Sequence, residues 1–193
     1  MTMGEMKANV LKSMGTYTAN VGDENPGQEY EPMLQTMLND GYAIVCRKYK
    51  PVAAKTVMVG AEGRVPLSAF PGLMKVLGVQ METETASVMV PHAISSCGLF
   101  LRVCGVERGE EITVAYTHMP EPMRIDAAAP IFKPEILHPV LVEYALYRLM
   151  GMYTIGDSQT AKLHFGMYQE MLAQIRPQQD AGGKYLRNKY VPW

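Results

Sequence analysis

The spacing of the hydrophobic residues changes twice along this chain of 193 residues. In residues 1–52 the apolar side chains recur every three to four positions, which predicts amphipathic helices. Residues 53–118 instead contain short β-branched runs separated by glycines, which predict strands. In residues 119–176 the helical spacing returns after a proline-rich connector. We therefore expect an α+β fold, in which a helical bundle carries an inserted small antiparallel β lobe and an extended C-terminal arm, residues 177–193.

The first half of the chain contains two predicted helices. The first is short and ends at Gly15, and the second runs from Tyr30 to Tyr49, just before Pro51. Gly41 lies inside the second helix, where a glycine costs about 1 kcal/mol of helix propensity. The β-rich segment that follows is expected to form one sheet of five or six strands.

Two further helices are predicted near the C-terminal end, the first regular from about Pro139 and the second beginning after a turn at Gly156. Since the loop between them is short, they should pack as an antiparallel hairpin. Apolar residues at helical spacing give each helix one buried face. The residues expected in the bundle core are Leu141, Tyr144, Ala145, Phe165, Tyr168 and Leu172.

The charge, the hydrophobic runs and the cysteine content limit the functions that this protein is expected to have. The net charge of −1 does not favour specific nucleic-acid binding or attachment to a membrane surface. No stretch approaches the length of a membrane span, so we expect no membrane contact. The three cysteines, Cys46, Cys97 and Cys104, are too few and odd in number for a disulfide framework, which favours folding in a reducing cytoplasm.

Catalytic and cofactor motifs are missing from the sequence. The four histidines, His92, His118, His138 and His164, are scattered, so we expect no metal site and no cofactor. His164 lies beside the apolar face of the last helix, where a packed, hydrogen-bonded histidine is favoured over a ligand. A nucleophile and a base come near each other in sequence at His92, Ser95 and Cys97, without a recognised motif. We therefore expect no enzyme, although a small-molecule-binding or hydrolytic α+β domain using this cluster stays open.

The C-terminal arm combines large apolar side chains with positive charges. Aromatic and basic residues of this kind are typical of anchors at protein interfaces. An arm that binds a partner is therefore favoured over one that folds back on its own domain. The residues expected to bind are Lys184, Tyr185, Leu186, Arg187, Lys189, Tyr190 and Trp193. The 16 methionines leave two interpretations open, core filling and adaptable contacts with other subunits.

Residues 111–175 carry a pattern that resembles the head-to-tail connector proteins of tailed bacteriophages, also called adaptor or head-completion proteins. In them a strand ending in a Tyr-x-x-x-Pro phrase leads to a helix of the type His-Pro-x-Leu-Val-x-Tyr-Ala. An Asp-containing turn and a helix ending in Tyr-x-x-(Met/Phe)-Leu follow. The matching positions are Tyr116, Pro120, His138, Pro139, Leu141, Val142, Tyr144, Ala145, Asp157, Ala161, Phe165, Tyr168 and Leu172.

This resemblance implies a structural virion protein that forms a homo-oligomeric ring, commonly dodecameric, between the capsid portal and the tail. The arm would reach the portal protein, and a downstream tail protein would dock below. DNA would pass through the lumen during ejection without specific binding. Such a protein is assembled in the host cytoplasm and resides in the virion. Another tail-completion or tail-tube component is the alternative within the same class.

Overall fold

The computed structural model describes residues 1–18, 26–83, 86–132, 137–152 and 158–178. The chain divides into two compact units. A helical unit combines Met1–Tyr49 with Glu121–Arg176, and a β unit comprises Lys50–Pro120 with the described residues after Arg176. The expectation of a mixed α+β fold is confirmed, with four helices and antiparallel sheets in the described residues.

The helical unit contains α1 (Met3–Thr18), α2 (Pro26–Tyr49), α3 (His138–Met152) and α4 (Ser158–Gln174). The second helix ends at Tyr49 as expected, whereas the first continues three residues beyond Gly15 to Thr18. A capping box begins α1: the Glu5 carboxylate accepts the Thr2 N–H at 2.8 Å, and the Thr2 hydroxyl accepts the Glu5 N–H at 3.3 Å.

The helix α3 is the central element of the helical unit, since it packs on α1, α2 and α4. Its side chains are buried on almost every side, and Leu141, Ala145 and Leu149 have no exposed surface. The helix α4 packs chiefly on α3. The ring contacts of Tyr144 with Tyr168 and of Tyr147 with Phe165 show that α3 and α4 are antiparallel. The residue that is later in α3 contacts the residue that is earlier in α4.

The connector between the two units contains a segment, residues 121–132, that we call the strap. It has no helix or strand, yet its backbone is tied to α1 and α2. The Asn39 side chain donates to the Met123 carbonyl at 3.0 Å and accepts the Met123 N–H at 2.8 Å. The Tyr42 hydroxyl accepts the Ile131 N–H at 3.0 Å, and the Lys7 ammonium lies 2.7 Å from the Asp126 carboxylate. The strap is therefore a fixed part of the helical unit.

The β unit contains seven strands in its described part, which form two sheets where one of five or six strands was expected. The first sheet has the order β1-β7-β3-β4 and the second the order β2-β6-β5, with antiparallel pairing throughout. The strands are β1 (Val52–Met58), β2 (Arg64–Pro66), β3 (Leu73–Glu82), β4 (Ser87–Met89), β5 (His92–Ile94), β6 (Phe100–Val103) and β7 (Glu111–His118).

A single apolar cluster joins the two sheets. Alternate residues of β7, Ile112, Val114 and Tyr116, are buried on one face of the first sheet. Leu101 and Val103 of β6 supply the second sheet's share of the same cluster. The β unit therefore has its own core, separate from that of the helical unit.

Candidate interaction surfaces

The contact between α3 and α4 is part polar and part aromatic. The Nδ1 atom of His164 on α4 lies 2.6 Å from Oε2 of Glu143 on α3, with side chains that are 9% and 14% exposed. The expected packed, hydrogen-bonded role of His164 is confirmed. Because an unmatched carboxylate is costly to bury, this pair fixes how α4 docks on α3.

Aromatic rings continue the contact along the two helices. Tyr144 meets Tyr168 with ring centroids 5.2 Å apart, and Tyr147 meets Phe165 at 4.8 Å. The Arg148 guanidinium donates to the Tyr144 hydroxyl at 2.8 Å. Burial raises the pKa of Tyr168, and the neighbouring phenols Tyr144 and Tyr147 add to this rise. The phenol of Tyr168 therefore stays neutral and packs as an uncharged ring.

The residues expected in the bundle core differ in their burial. Leu141, Tyr144, Ala145 and Tyr168 are buried, and Leu172 is half-buried. Phe165 is 40% exposed, so its prediction as a core residue is wrong for this chain by itself. Its ring packs against Tyr147 on one side, but α4 lies at the periphery of the helical unit, so the other side faces outward.

An apolar flank of α4 is also exposed. Leu163 is 58% exposed and Met167 is 36% exposed, one helical turn apart on the same face. Met167 lies at the edge of a groove of about 470 Å³ between α3 and α4. The described residues that line this α3–α4 groove are Leu137, Pro139, Val140, Met167, Glu170, Met171 and Gln174.

The β unit presents a second apolar surface at the turn between β5 and β6. Ile94 is 52% exposed and Leu99 is 62% exposed. Cys97 lies between them in sequence, and its sulfur is 3.1 Å from the Ser95 hydroxyl. This hydrogen bond is the main cause that lowers the pKa of the Cys97 thiol.

Over residues 1–188 the sequence matches the family model described as SU10 adaptor protein. The chain belongs to this family. It is a family of phage head–tail adaptors, so the resemblance to connector proteins is confirmed. A comparison with curated proteins found no match.

Membership of the adaptor family gives the chain a structural role in a phage virion, where an adaptor meets portal and tail proteins. The family is structural and has no known enzymatic activity. The surfaces that matter in such a protein are therefore those that meet other chains. The apolar flank of α4, the α3–α4 groove and the β5–β6 turn are the candidates in the described residues.

The structure does not join His92 to Ser95 and Cys97 in one hydrogen-bonded cluster. The Nδ1 atom of His92 lies 3.1 Å from the Val90 carbonyl oxygen, whereas Cys97 is hydrogen-bonded to Ser95. Within the described residues no hydrogen bond joins the imidazole to either nucleophile, although acid–base activation requires one. No group of three metal-ligating side chains occurs in that part of the chain either.

The binding residues predicted in the arm lie outside the described residues, since all of them follow residue 178: Lys184, Tyr185, Leu186, Arg187, Lys189, Tyr190 and Trp193. Its role stays a prediction. None of the helices in the described segments is long and apolar enough to cross a membrane.

Two features of the adaptor surface escaped the sequence analysis. Ile125, in the proline-rich connector, is 65% exposed, and Leu163 lies on a helix whose pattern indicated one buried face. The sequence showed that each of these residues is hydrophobic, and that was the only indication of an interaction surface. Their exposure depends on which neighbouring elements cover them, and a local pattern does not contain that information.

Proposed function

We propose that this adaptor forms a closed ring, commonly dodecameric, that joins the capsid portal to the tail and lines part of the DNA ejection channel. The observation that carries the proposal is the exposed apolar surface of α4, on the flank of Leu163 and Met167 and on the opposite side at Phe165, in a member of a head–tail adaptor family. Leu163, Phe165 and Met167 expose 58%, 40% and 36% of their surfaces. Covering them with other chains of the assembly removes apolar surface from water.

A ring makes repeated use of one contact. Each copy presents one surface to the neighbour on its left and a different surface to the neighbour on its right, and rotation closes the series. The near-neutral net charge of −1 suits a conduit, since a strongly basic lumen would retain DNA through its phosphates. DNA therefore passes through without specific binding.

The arm, residues 177–193, is the proposed contact with the portal protein. Its aromatic residues Tyr185, Tyr190 and Trp193 offer large apolar surfaces, and its cations Lys184, Arg187 and Lys189 offer charge. Ordering such a segment on a partner costs conformational entropy, which aromatic anchors offset through the area that they bury.

Deletion of residues 184–193 tests the role of the arm. We expect a folded protein, with an unchanged circular dichroism spectrum, that no longer co-sediments with the portal protein of the same phage. Replacing Tyr185, Tyr190 and Trp193 together by Ala should have the same effect at unchanged charge. Replacing Lys184, Arg187 and Lys189 by Gln is the matched variant, and it should weaken binding mainly at low salt. Unchanged co-sedimentation of the deleted protein would refute the arm's role.

A further inference from the structure

The strap holds an apolar side chain out into solvent on a fixed backbone. Ile125 is 65% exposed, and its carbonyl accepts the Ala128 N–H at 2.9 Å. The next residue, Asp126, accepts the Gly4 N–H at 2.9 Å and pairs with Lys7. On the other side, Asn39 holds the backbone of Met123. A side chain presented in this way loses little conformational freedom when it binds, which favours affinity.

The α3–α4 groove has the complementary shape and chemistry. Its walls are mostly apolar, and Met167 and Met171 can adjust to an inserted side chain because their thioether chains are flexible. Glu170 gives the groove a negative charge. Arg124, which precedes Ile125, is an exposed positive residue. Ile125 and the groove therefore match in apolar character, and Arg124 beside Ile125 is opposite in charge to Glu170, while Asp126 on the other side of Ile125 is already paired with Lys7.

The two surfaces are formed by different elements of the helical unit. The strap is tied to α1 and α2, whereas the groove is formed where α4 packs on α3. Two different, complementary patches on one chain produce a head-to-tail contact between copies, and such a contact closes into a ring when the rotation permits.

We propose that Ile125 of one copy inserts into the α3–α4 groove of the neighbouring copy, with Arg124 facing Glu170. This contact is the subunit interface of the ring, and it rests on the proposed function. The occupant is a second copy because one chain carries both complementary surfaces, each of them outward-facing. The arm of a neighbour and the portal protein are the rival occupants, and the experiment separates them.

Cysteine cross-linking tests the contact in assembled rings. The background replaces the exposed Cys97 and Cys104 by Ser, leaving the buried Cys46. Into it are placed Ile125→Cys and Met167→Cys, at exposed positions where the change leaves the fold intact. After assembly on the portal and mild oxidation, we expect a ladder of disulfide-linked adaptor multimers on a non-reducing gel. Each single variant should give no ladder.

The failures of the two proposals are distinguishable. A ring that forms on the portal, by mass, without a ladder from the double variant overturns this interface and leaves the ring standing. The interface is also overturned if a bismaleimide links Met167→Cys to the portal protein while no adaptor ladder forms. A link from Met167→Cys to a cysteine placed at Tyr190 in the arm, again without a ladder, has the same meaning. Absence of any ring overturns the proposed function and the interface together.

Charge reversal gives a second readout that does not depend on cysteine. Glu170→Arg should weaken ring assembly severalfold by facing Arg124 with a like charge, and Arg124→Glu should do the same. The combined variant should restore assembly toward the original level. Equal weakening in the single and combined variants would contradict a direct pairing of these two residues.

Discussion

Gly41 shows why a residue that is unfavourable in a helix can be required in the folded chain. A Cβ atom at this position of α2 would lie 2.9 Å from Cδ1 of Tyr144 on α3. The missing side chain lets the ring pack directly on the α2 backbone. The close approach of two helices therefore accounts for a glycine whose presence lowers helix propensity.

Substitution of Gly41 by Ala should lower the free energy of unfolding by about 1–3 kcal/mol, because the added methyl group overpacks against Tyr144. Gly166 on α4 is the matched control, since a Cβ there meets nothing within 4 Å. Gly166→Ala should stabilise the protein by up to about 1 kcal/mol through helix propensity. Urea denaturation of both variants measures these changes, and equal effects at the two sites would contradict the packing argument.

Two buried acids of α2 make stability depend on alkaline pH. Burial raises the pKa of the Cys46 thiol from 9.0 to about 12, and it raises the pKa of the neighbouring Tyr42 phenol as well. Between pH 9 and 12 the unfolded thiol loses its proton while the folded thiol retains it. The contribution of Cys46 to the free energy of unfolding is therefore fully present below about pH 9, and it declines as the pH rises toward 12.

Urea denaturation at several pH values checks this dependence. Cys46 should contribute a loss of about 1.4 kcal/mol per pH unit above pH 9. Cys46→Ala should remove that slope between pH 9 and the ordinary phenol pKa of 10.0, where Tyr42 begins to contribute. An unchanged slope in this variant would contradict the assignment to Cys46.

At the scale of elements, α4 is the helix with the fewest neighbouring helices, since it packs chiefly on α3, and that contact contains the pair of His164 with Glu143. His164→Ala should destabilise the docking of α4 by about 3 kcal/mol, because Glu143 is left buried without its partner. Glu143→Gln retains a hydrogen-bond acceptor for the imidazole and should cost less.

Amide hydrogen exchange locates the effect. In His164→Ala, exchange should become faster throughout α4, whereas α1 should keep its protection, because its contacts are with α2 and α3. Equal acceleration in α1 and α4 would show that the pair supports the whole helical unit instead.

The helices and their order were predictable from the sequence because helix formation depends on local features, namely the apolar spacing and helix-ending residues such as Pro51 after Tyr49. Burial on the last helix was predictable in part. Tyr168 is buried as expected and Phe165 is not, since spacing shows which residues share a face and not whether a further element covers that face. The strap was read as a bare connector, because the side chains that hold it, such as Asn39 and Tyr42, are distant in sequence.

At the scale of the whole molecule, the α+β class followed from the change in periodicity, but the division of the seven described strands into two sheets did not. Pairings such as β2 with β6 join residues more than thirty positions apart, and register over that separation depends on the packed core and not on local preference. The interaction surfaces were not predictable for the same reason. The exposure of Ile125 and the α3–α4 groove both depend on how elements distant in sequence pack together.

The central claim is that this adaptor works by covering its exposed apolar surfaces with other chains in a ring on the portal. The mass of the complex that the purified adaptor forms with the portal protein of the same phage, measured by light scattering after size-exclusion chromatography, tests it most directly. We predict a mass that corresponds to one portal with a closed ring of adaptor copies, twelve for a dodecameric ring. An adaptor that elutes as a monomer in the presence of the portal would contradict the account.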